Sequence, residues 1–289
     1  MRRGRLRRVA LALAVLLAAN VAGGVAALRL IYRRFEGEAH SLPEDCRPMA
    51  FPSGGATLQG YYFEGSKGLV LLTPGFHSVA LDYLPVIRAL NARGWAVFAF
   101  DATGTGQSGG EDQAGFPQIL RDARAARDFL LASDRLGHGA LLLLGHSRGA
   151  YGAAGALDGA DGAALVSGVN SAMEAQTQPL SNLLTLPACG TWPVLWALQA
   201  LAFGVDAQFD AAAALAGSDF PALVIQGMGD TTAPPAHHSL WAHRAEFERE
   251  GVELLAMEGG HTDVLYSNGT ANEAAVDALC DFFDRCIGN

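Results

Sequence analysis

The sequence predicts an α/β fold in which a mostly parallel β-sheet is covered by helices on both faces. Short apolar runs bounded by Gly or Pro alternate along the chain with longer amphipathic segments. The runs are apolar on both faces, which is typical of strands buried inside a parallel sheet. The chain has 289 residues, half of them apolar, and this is enough for one such domain with a full core.

A long uncharged segment lies near the N-terminus. Five Arg stand among the first eight residues, and residues 9–28 then carry no charge, which is long enough to cross a bilayer core of ~30 Å. The denser basic cluster precedes the apolar segment, so the domain that follows is expected in the periplasm or outside the cell. We predict a membrane anchor at residues 1–35. The alternative is a secretory signal peptide, because residues 25–27 (Val-Ala-Ala) fit a cleavage site.

Charge and cysteine content exclude several functional classes. The net charge is -9, but residues 1–34 hold eight Arg and no acid, so residues 35–289 sum to 12 minus 29, or -17. A body this acidic repels nucleic acid. The four cysteines, Cys46, Cys189, Cys280 and Cys286, match no zinc-ligand spacing, although an exported domain could pair them as disulfides. We therefore expect neither a metal nor a cofactor.

The predicted elements fill one large domain at residues 45–289. An antiparallel hairpin at residues 48–64, with its turn at Ser-Gly-Gly, precedes the parallel strands. The predicted parallel strands are residues 69–73, 95–100, 140–144, 163–166, 222–225 and 252–257. The predicted helices between them include 83–93 and 117–133, and the second has Ile119, Ala123, Ala126 and Leu130 on one face.

One segment, residues 170–218, departs from this alternation. No strand is evident in it, and residues 175–205 carry no formal charge. Prolines and glycines interrupt the segment, which argues against a second membrane span. We predict that it forms a helical cap whose apolar side chains, among them Trp192, Leu195, Trp196 and Phe203, line an acyl pocket or touch the bilayer. The alternative is that they pack the cap's own core.

A nucleophile motif follows one of the buried strands. Residues 145–149 read Gly-His-Ser-Arg-Gly, with the strand at 140–144 before them and a small-residue helix after them. A sharp strand-to-helix turn of this kind leaves the hydroxyl of Ser147 projecting above the sheet. A second Gly-x-Ser-x-Gly copy centred on Ser108 leads into a loop instead, so we predict Ser147 as the nucleophile.

The loop that contains Ser108 also matches a dinucleotide fingerprint. Residues 104–109 read Gly-Thr-Gly-Gln-Ser-Gly after a predicted strand. A pyrophosphate site requires a helix to begin at those glycines, whereas here the next helix starts about seven residues later, near Pro117. The spacing therefore disfavours a dinucleotide site.

A base and an orienting acid follow the serine in the order that this architecture requires. Asp230 comes after the strand at 222–225, and His261 comes after the strand at 252–257. Parallel strands bring their carboxyl ends together, so Ser147, Asp230 and His261 are expected to converge. His237, His238 and Asp263 are less suitably placed.

Two backbone N–H groups are needed to bind the oxyanion. One belongs to Arg148, the residue after the nucleophile. The other is assigned to Phe76, because the first parallel strand is followed by Pro74-Gly75, where the backbone can turn back toward the serine. His77 is the alternative for the second donor.

These motifs resemble the α/β-hydrolase fold superfamily, and within it the serine aminopeptidase and monoacylglycerol-lipase-like branch. The resemblance covers roughly residues 48–287. It rests on residues 73–76, 100–110, 145–149, 227–230 and 260–261, which occur in family order. The chain departs from the family at Pro74, where His is usual, and at Ala102, Thr103 and Thr105 in the following loop.

The resemblance implies a serine hydrolase of carboxylic esters that uses Ser147, His261 and Asp230 through an acyl-enzyme, with a small acyl compound as its substrate. Members of this superfamily also include amidases, aminopeptidases and inactive binding proteins, and the first two would use the same three residues. Fold resemblance alone does not decide among these activities.

Overall fold

The computed structural model describes residues 2–176 and 187–288, and it confirms the predicted fold class. Eight strands form one sheet in the order β1-β2-β4-β3-β5-β6-β7-β8. They are β1 Cys46–Ser53, β2 Ala56–Phe63, β3 Leu69–Thr73, β4 Ala96–Phe100, β5 Leu141–His146, β6 Gly162–Val166, β7 Ala222–Gly227 and β8 Val252–Met257. The pairs from β4 to β8 are parallel, and the hairpin β1–β2 joins them antiparallel through β2 and β4.

Helices cover both faces of the sheet. The chain begins with α1 Arg2–Ile31, and the helices of the domain include α2 Leu84–Ala92, α3 Gln118–Ala132, α4 Arg148–Ala154, α5 Pro187–Phe203, α6 Ala211–Ala216, α7 Arg244–Phe247 and α8 Glu273–Cys286. Short 3-10 helices occur at Ala80–Tyr83, Asp134–Gly137, Gly204–Gln208 and Leu240–His243, and a two-stranded ribbon pairs β9 Tyr266–Ser267 with β10 Thr270–Ala271.

Alternating strand residues supply two separate cores, as expected for strands buried on both sides. Leu71 and Leu143 belong to the core beneath α3 and α4, whereas Leu72 and Leu144 belong to the core beneath α2 and α8. The four α3 residues predicted to share one face are all fully buried. Cys46, Cys280 and Cys286 are free thiols.

Helix α1 projects from this domain. Within the described residues one helix, at Gly4–Ile31, is long and apolar enough to cross a membrane, with a mean hydropathy of 2.2 in its most apolar window. Its C-terminal third packs on α5, where a methyl group added at Gly24 would lie 3.3 to 3.7 Å from side-chain atoms of Val194, Leu198 and Leu195. Helix α5 therefore contacts the apolar helix α1.

The predicted cap at 170–218 contains α5 and α6, and residues 177–186 lie outside the described residues. Leu195 and Phe203 are buried in packing contacts, while Trp196 is 43% exposed and Leu201 is 85% exposed. The side chain of Trp192 also lies outside the described residues. Two of the four predicted pocket side chains therefore pack within the protein, and Trp196 stands at the surface.

Candidate active site

Ser147 occupies a strained turn between β5 and α4. Its backbone has φ 58° and ψ -123°, a conformation that non-glycine residues rarely adopt. The glycines on either side permit the turn: a Cβ at Gly145 would lie 2.5 Å from the Cα of Ala150, and one at Gly149 would lie 2.0 Å from the carbonyl oxygen of Thr73. The turn directs the Ser147 side chain beyond the carboxyl edge of the sheet.

The structure brings Ser147, His261 and Asp230 together in a single hydrogen-bonded row. Oγ of Ser147 lies 2.8 Å from Nε2 of His261, and Nδ1 of the same ring lies 2.7 Å from Oδ2 of Asp230. A carboxylate only accepts, so Nδ1 carries the proton and Nε2 is left to accept the serine hydroxyl. This is the geometry that a serine nucleophile needs for activation.

Asp230 is 3% exposed and remains ionised because its other contacts are donors. Burial alone would raise its pKa, but hydrogen bonds from His261 and from the backbone N–H groups of Ala233 and Thr232 hold the pKa below its usual range. Both N–H groups lie 2.8 Å from Oδ1. Four donors in all, with the Nε2 amide of Gln226, therefore fix the carboxylate in the orientation that His261 requires.

The two predicted oxyanion donors lie on different elements: Phe76 is in the loop after β3, and Arg148 is the first residue of α4. Within the described residues, no acceptor engages the backbone N–H of Phe76 or of Arg148. His77, the alternative donor, has φ 51° and stacks its ring on that of Phe76 with centroids 4.0 Å apart. Both N–H groups are therefore without an acceptor in the part of the chain that the structure describes.

The side chain of Arg148 is fully buried behind the nucleophile. Its guanidinium donates to the carbonyl oxygens of Phe116, at 3.1 Å, and of Gly115, and it lies 5.5 Å from the ring centroid of Phe76. Burial lowers the pKa of Arg148 from its usual value. The residue predicted only as a backbone donor therefore also holds the two loops that flank the site.

A second histidine, His146, links Tyr83 to the backbone of His261, and the sequence did not single it out. The ring of His146 lies between the hydroxyl of Tyr83 and the carbonyl oxygen of His261, each at 2.9 Å. The Tyr83 hydroxyl in turn accepts from the N–H of Gly75 at 2.9 Å. Burial, and then the neighbouring His261, lower the pKa of His146 to about 4. The glycine-flanked motif already contained His146, but only the fold shows that Tyr83 reaches it.

The structure places the other candidates away from this row. Ser108 is buried, donates its hydroxyl to the carbonyl oxygen of Asp101 at 2.6 Å and accepts from the N–H of Gln59, so it links β2 to the loop after β4. His237 and Asp263 are exposed, and His238 is half-buried.

The glycine-rich loop at 104–110 presents carbonyl oxygens where a dinucleotide site would present N–H groups. The guanidinium of Arg34 donates to three of them, the carbonyl oxygens of Gly106, Ser108 and Gly110, at 2.7 to 3.0 Å. Carbonyl oxygens cannot bind a phosphate, because phosphate oxygens need donors. The loop therefore binds a cationic side chain of the chain itself.

Comparison with known proteins agrees with the fold. The family model "Serine aminopeptidase, S33" matches residues 64–186. An esterase of Pyrococcus furiosus superposes with a TM-score of 0.68 and 19% identity, covering 88% of this chain and 98% of that chain. An alpha/beta hydrolase of a Penicillium species has a TM-score of 0.64 and 17% identity over 84% and 99%.

A third solved structure, Est1E of Butyrivibrio proteoclasticus with ferulic acid bound, has a TM-score of 0.62 and 18% identity over 83% of this chain and all of that one (100%). No curated protein sequence matches the chain significantly. At such identities the structural likeness establishes the fold, which the resemblance in the sequence had indicated. The chain therefore has the α/β-hydrolase fold, and its residues 64–186 match the family model of the serine aminopeptidases.

Proposed function

We propose that this protein is a membrane-anchored serine esterase that hydrolyses lipid-like acyl esters. The observation that carries the proposal is the hydrogen-bonded row of Ser147, His261 and Asp230, built on a strained turn whose two flanking loops offer free N–H groups. The esterases among the structural neighbours support the same reaction class.

The chemistry follows from the placement of these groups. His261 removes the hydroxyl proton of Ser147 as Oγ attacks the acyl carbon, and the carbonyl oxygen becomes an oxyanion held by the N–H groups of Phe76 and Arg148. Collapse of the intermediate expels the alcohol, which takes the proton from His261 and leaves an acyl-enzyme. Water then attacks that ester with His261 again as base, and the carboxylic acid and free serine result.

The cap and α1 support an apolar acyl chain as the substrate. Residues 175–205 carry no charge, and α5 packs directly on α1. An acyl chain that moved from the bilayer to Ser147 along α5 would avoid a cost of ~0.8 kcal/mol for each methylene exposed to water. The basic cluster at the start of α1, ahead of its apolar stretch, supports placement of the domain outside the cytoplasm.

An aminopeptidase or amidase activity is the second candidate, because the matching family model is that of a serine aminopeptidase. The same three residues would cleave an amide bond. Esters and aminoacyl amides therefore have to be compared on the same preparation.

The test uses the full chain in detergent. We expect a fluorophosphonate to label Ser147, identified by peptide mass, and p-nitrophenyl esters to be hydrolysed faster than the matched aminoacyl p-nitroanilides. Preference for the anilides would assign the aminopeptidase activity instead. Absence of labelling and of both hydrolyses would overturn the enzyme assignment. For topology, an alkaline phosphatase fused after residue 289 should be active, whereas an inactive fusion would place the domain in the cytoplasm.

A further inference from the structure

The four residues that follow α1, Tyr32 to Phe35, are built into the hydrolase domain, and we call them the exit segment. Tyr32 extends the helix, with its N–H donating to the carbonyl oxygen of Leu28 at 2.9 Å, and is only 3% exposed. Arg33 forms a β-bridge with Asp112, and Phe35 forms one with Thr105. The apolar helix is therefore joined to the domain by paired backbone and not by a free linker.

Arg34 locks this pairing on the glycine-rich loop. Its guanidinium donates to three carbonyl oxygens of that loop. The same loop pairs with Phe35 through the backbone: the N–H of Gly106 donates to the carbonyl oxygen of Phe35 at 2.9 Å, and the N–H of Phe35 donates to the carbonyl oxygen of Gly104 at 3.0 Å. Hydrogen bonds to a charged donor are stronger than neutral ones, so the contact stabilises the docked segment well beyond a single backbone pair.

Two aromatic side chains of the exit segment contact the loop after β3 that holds Phe76 and His77, which we call the oxyanion loop. The ring of Tyr32 meets that of Phe76 edge to face with centroids 5.6 Å apart, and the ring of Phe35 stacks on His77 at 5.1 Å. His77 has φ 51°, and an unfavourable backbone of this kind persists only when its surroundings hold it. The aromatic contacts from Tyr32 and Phe35 supply part of that constraint.

The buried side-chain amide of Gln113 links the exit segment to Arg148, the residue after Ser147. The fully buried side chain of Gln113 donates to the carbonyl oxygen of Arg33 at 3.0 Å and accepts from the guanidinium of Arg148 at 3.3 Å. The backbone N–H of Gln113 also donates to the carbonyl oxygen of Tyr32 at 2.7 Å. The exit segment thus reaches both proposed oxyanion donors, Phe76 by ring contact and Arg148 through Gln113.

We propose that Tyr32 and Phe35 are positioning residues for the oxyanion loop, so that the esterase site is complete only while the exit segment is docked. The inference rests on the proposed function and deepens it, because it makes the residues at the end of the membrane helix part of the catalytic apparatus. Cleavage after Ala27 would leave the exit segment in place, whereas loss of residues 1–35 would remove it.

The test compares full-length variants in detergent micelles. Tyr32→Ala and Phe35→Ala should each lower kcat for p-nitrophenyl acetate by about 10-fold or more with KM little changed, short of the ~100- to 1,000-fold loss for a deleted oxyanion donor. The inhibition constant of a trifluoromethyl ketone, whose adduct carries an oxyanion, should rise by the same factor. Leu30→Ala, at an exposed position of the same helix end, is the matched control.

Several outcomes would overturn the inference. A fall in thermal midpoint with kcat and ketone inhibition unchanged would show that the contacts only stabilise the fold. A rise in KM alone would show that the segment only contributes to substrate binding. If Tyr32→Ala does not fold, Phe35→Ala and Arg34→Gln carry the same comparison. Hydrogen exchange at the N–H groups of Phe35 and Gly106 reports whether the exit segment is docked, independently of catalysis. Rapid exchange at these groups in the wild type would refute the docked segment. Inactive wild type, or activity in Ser147→Ala, would instead refute the proposed esterase.

Discussion

Nε2 of His146 lies 2.9 Å from the backbone carbonyl oxygen of His261. A carbonyl only accepts, so Nε2 carries the ring proton, and Nδ1 accepts from the hydroxyl of Tyr83. The Tyr83 oxygen can then accept from Gly75, the residue before the proposed oxyanion donor Phe76. One chain of hydrogen bonds therefore connects the oxyanion loop to the backbone of the proposed general base.

Replacing Tyr83 by Phe should break this chain at its centre without removing the ring. The N–H of Gly75 loses its acceptor and Nδ1 of His146 loses its donor, so both loops gain freedom near Ser147. We expect kcat for a short ester to fall about 10-fold and KM to change little. The matched control is Tyr266→Phe, because its ring packs on Tyr83 with centroids 5.4 Å apart. Equal losses of kcat in both variants would argue against a role for this chain of hydrogen bonds.

The buried His146 should make folding sensitive to acid. Its folded-state pKa of about 4 lies below the unfolded value of ~6.5, so the unfolded chain binds the proton more tightly. The free energy of unfolding is then unaffected by this group above pH 6.5, and it falls as the pH drops toward 4. Proximity to His261 adds to the effect, and Asp230 opposes it.

Urea unfolding in mild detergent measures this dependence. Between pH 7 and pH 5 the His146 contribution amounts to a loss of about 2 kcal/mol. His146→Gln should flatten the profile over this range even if the variant is less stable throughout. An unchanged slope would show that other groups cause the acid sensitivity.

The elements and the three proposed catalytic side chains could be predicted from the sequence because they depend on local signals. Strands such as Leu69–Thr73 are short apolar runs, and Ser147 stands in a turn with a fixed spacing of glycines. Asp230 and His261 follow strand ends, and a parallel sheet brings those ends together. Their hydrogen-bond distances agree with that expectation, while their catalytic roles stay predictions.

The supporting contacts could not be predicted, since each depends on packing between distant segments. Arg34 looked like a charge flanking the apolar helix, and nothing local indicates that it binds carbonyl oxygens 72 to 76 residues away. Tyr83 looked like the start of an amphipathic helix, yet its hydroxyl reaches His146, 63 residues later. Residues of this kind contribute through the fold and have no motif of their own.

Replacing Ser147 by Ala should abolish ester hydrolysis, whereas Ser108→Ala should retain it. The two serines share the same five-residue pattern, but only Ser147 Oγ lies within hydrogen-bond distance of His261. We expect a loss on the order of 10⁶-fold in kcat for Ser147→Ala, as in other serine triads. Purified proteins assayed with p-nitrophenyl butyrate check the difference. Activity that survives in Ser147→Ala would remove this serine as the nucleophile.

Ser147→Gly should stabilise the protein while it abolishes activity. The positive φ of Ser147 costs about 1 to 3 kcal/mol in a residue with a Cβ, and Gly adopts the same conformation without that cost. Part of the gain is offset, because Gly is also freer in the unfolded chain. A higher thermal midpoint than that of Ser147→Ala is expected in differential scanning fluorimetry. An equal or lower midpoint would show that the turn is not strained in solution.

The exposed apolar side chains of the cap should matter for long acyl chains and not for short ones. Trp196 and Leu201 lie on α5, the helix that packs on α1, and both remain at the surface. If α5 meets the bilayer beside α1, removing these side chains weakens its insertion and slows the transfer of a lipid substrate. A soluble acetate ester reaches Ser147 from water and needs no such contact.

The double variant Trp196→Ala/Leu201→Ala should therefore lose activity on long-chain esters in liposomes about 10-fold or more, since each buried side chain contributes on the order of 2 kcal/mol to insertion. Its activity on p-nitrophenyl acetate should stay near that of the wild type. Phe203→Ala serves as the contrasting control, because Phe203 is buried against Gly115 and Arg121 and its loss should destabilise the domain. Equal losses on both substrates in the double variant, together with a lower thermal midpoint, would instead assign Trp196 and Leu201 to the packing of the cap.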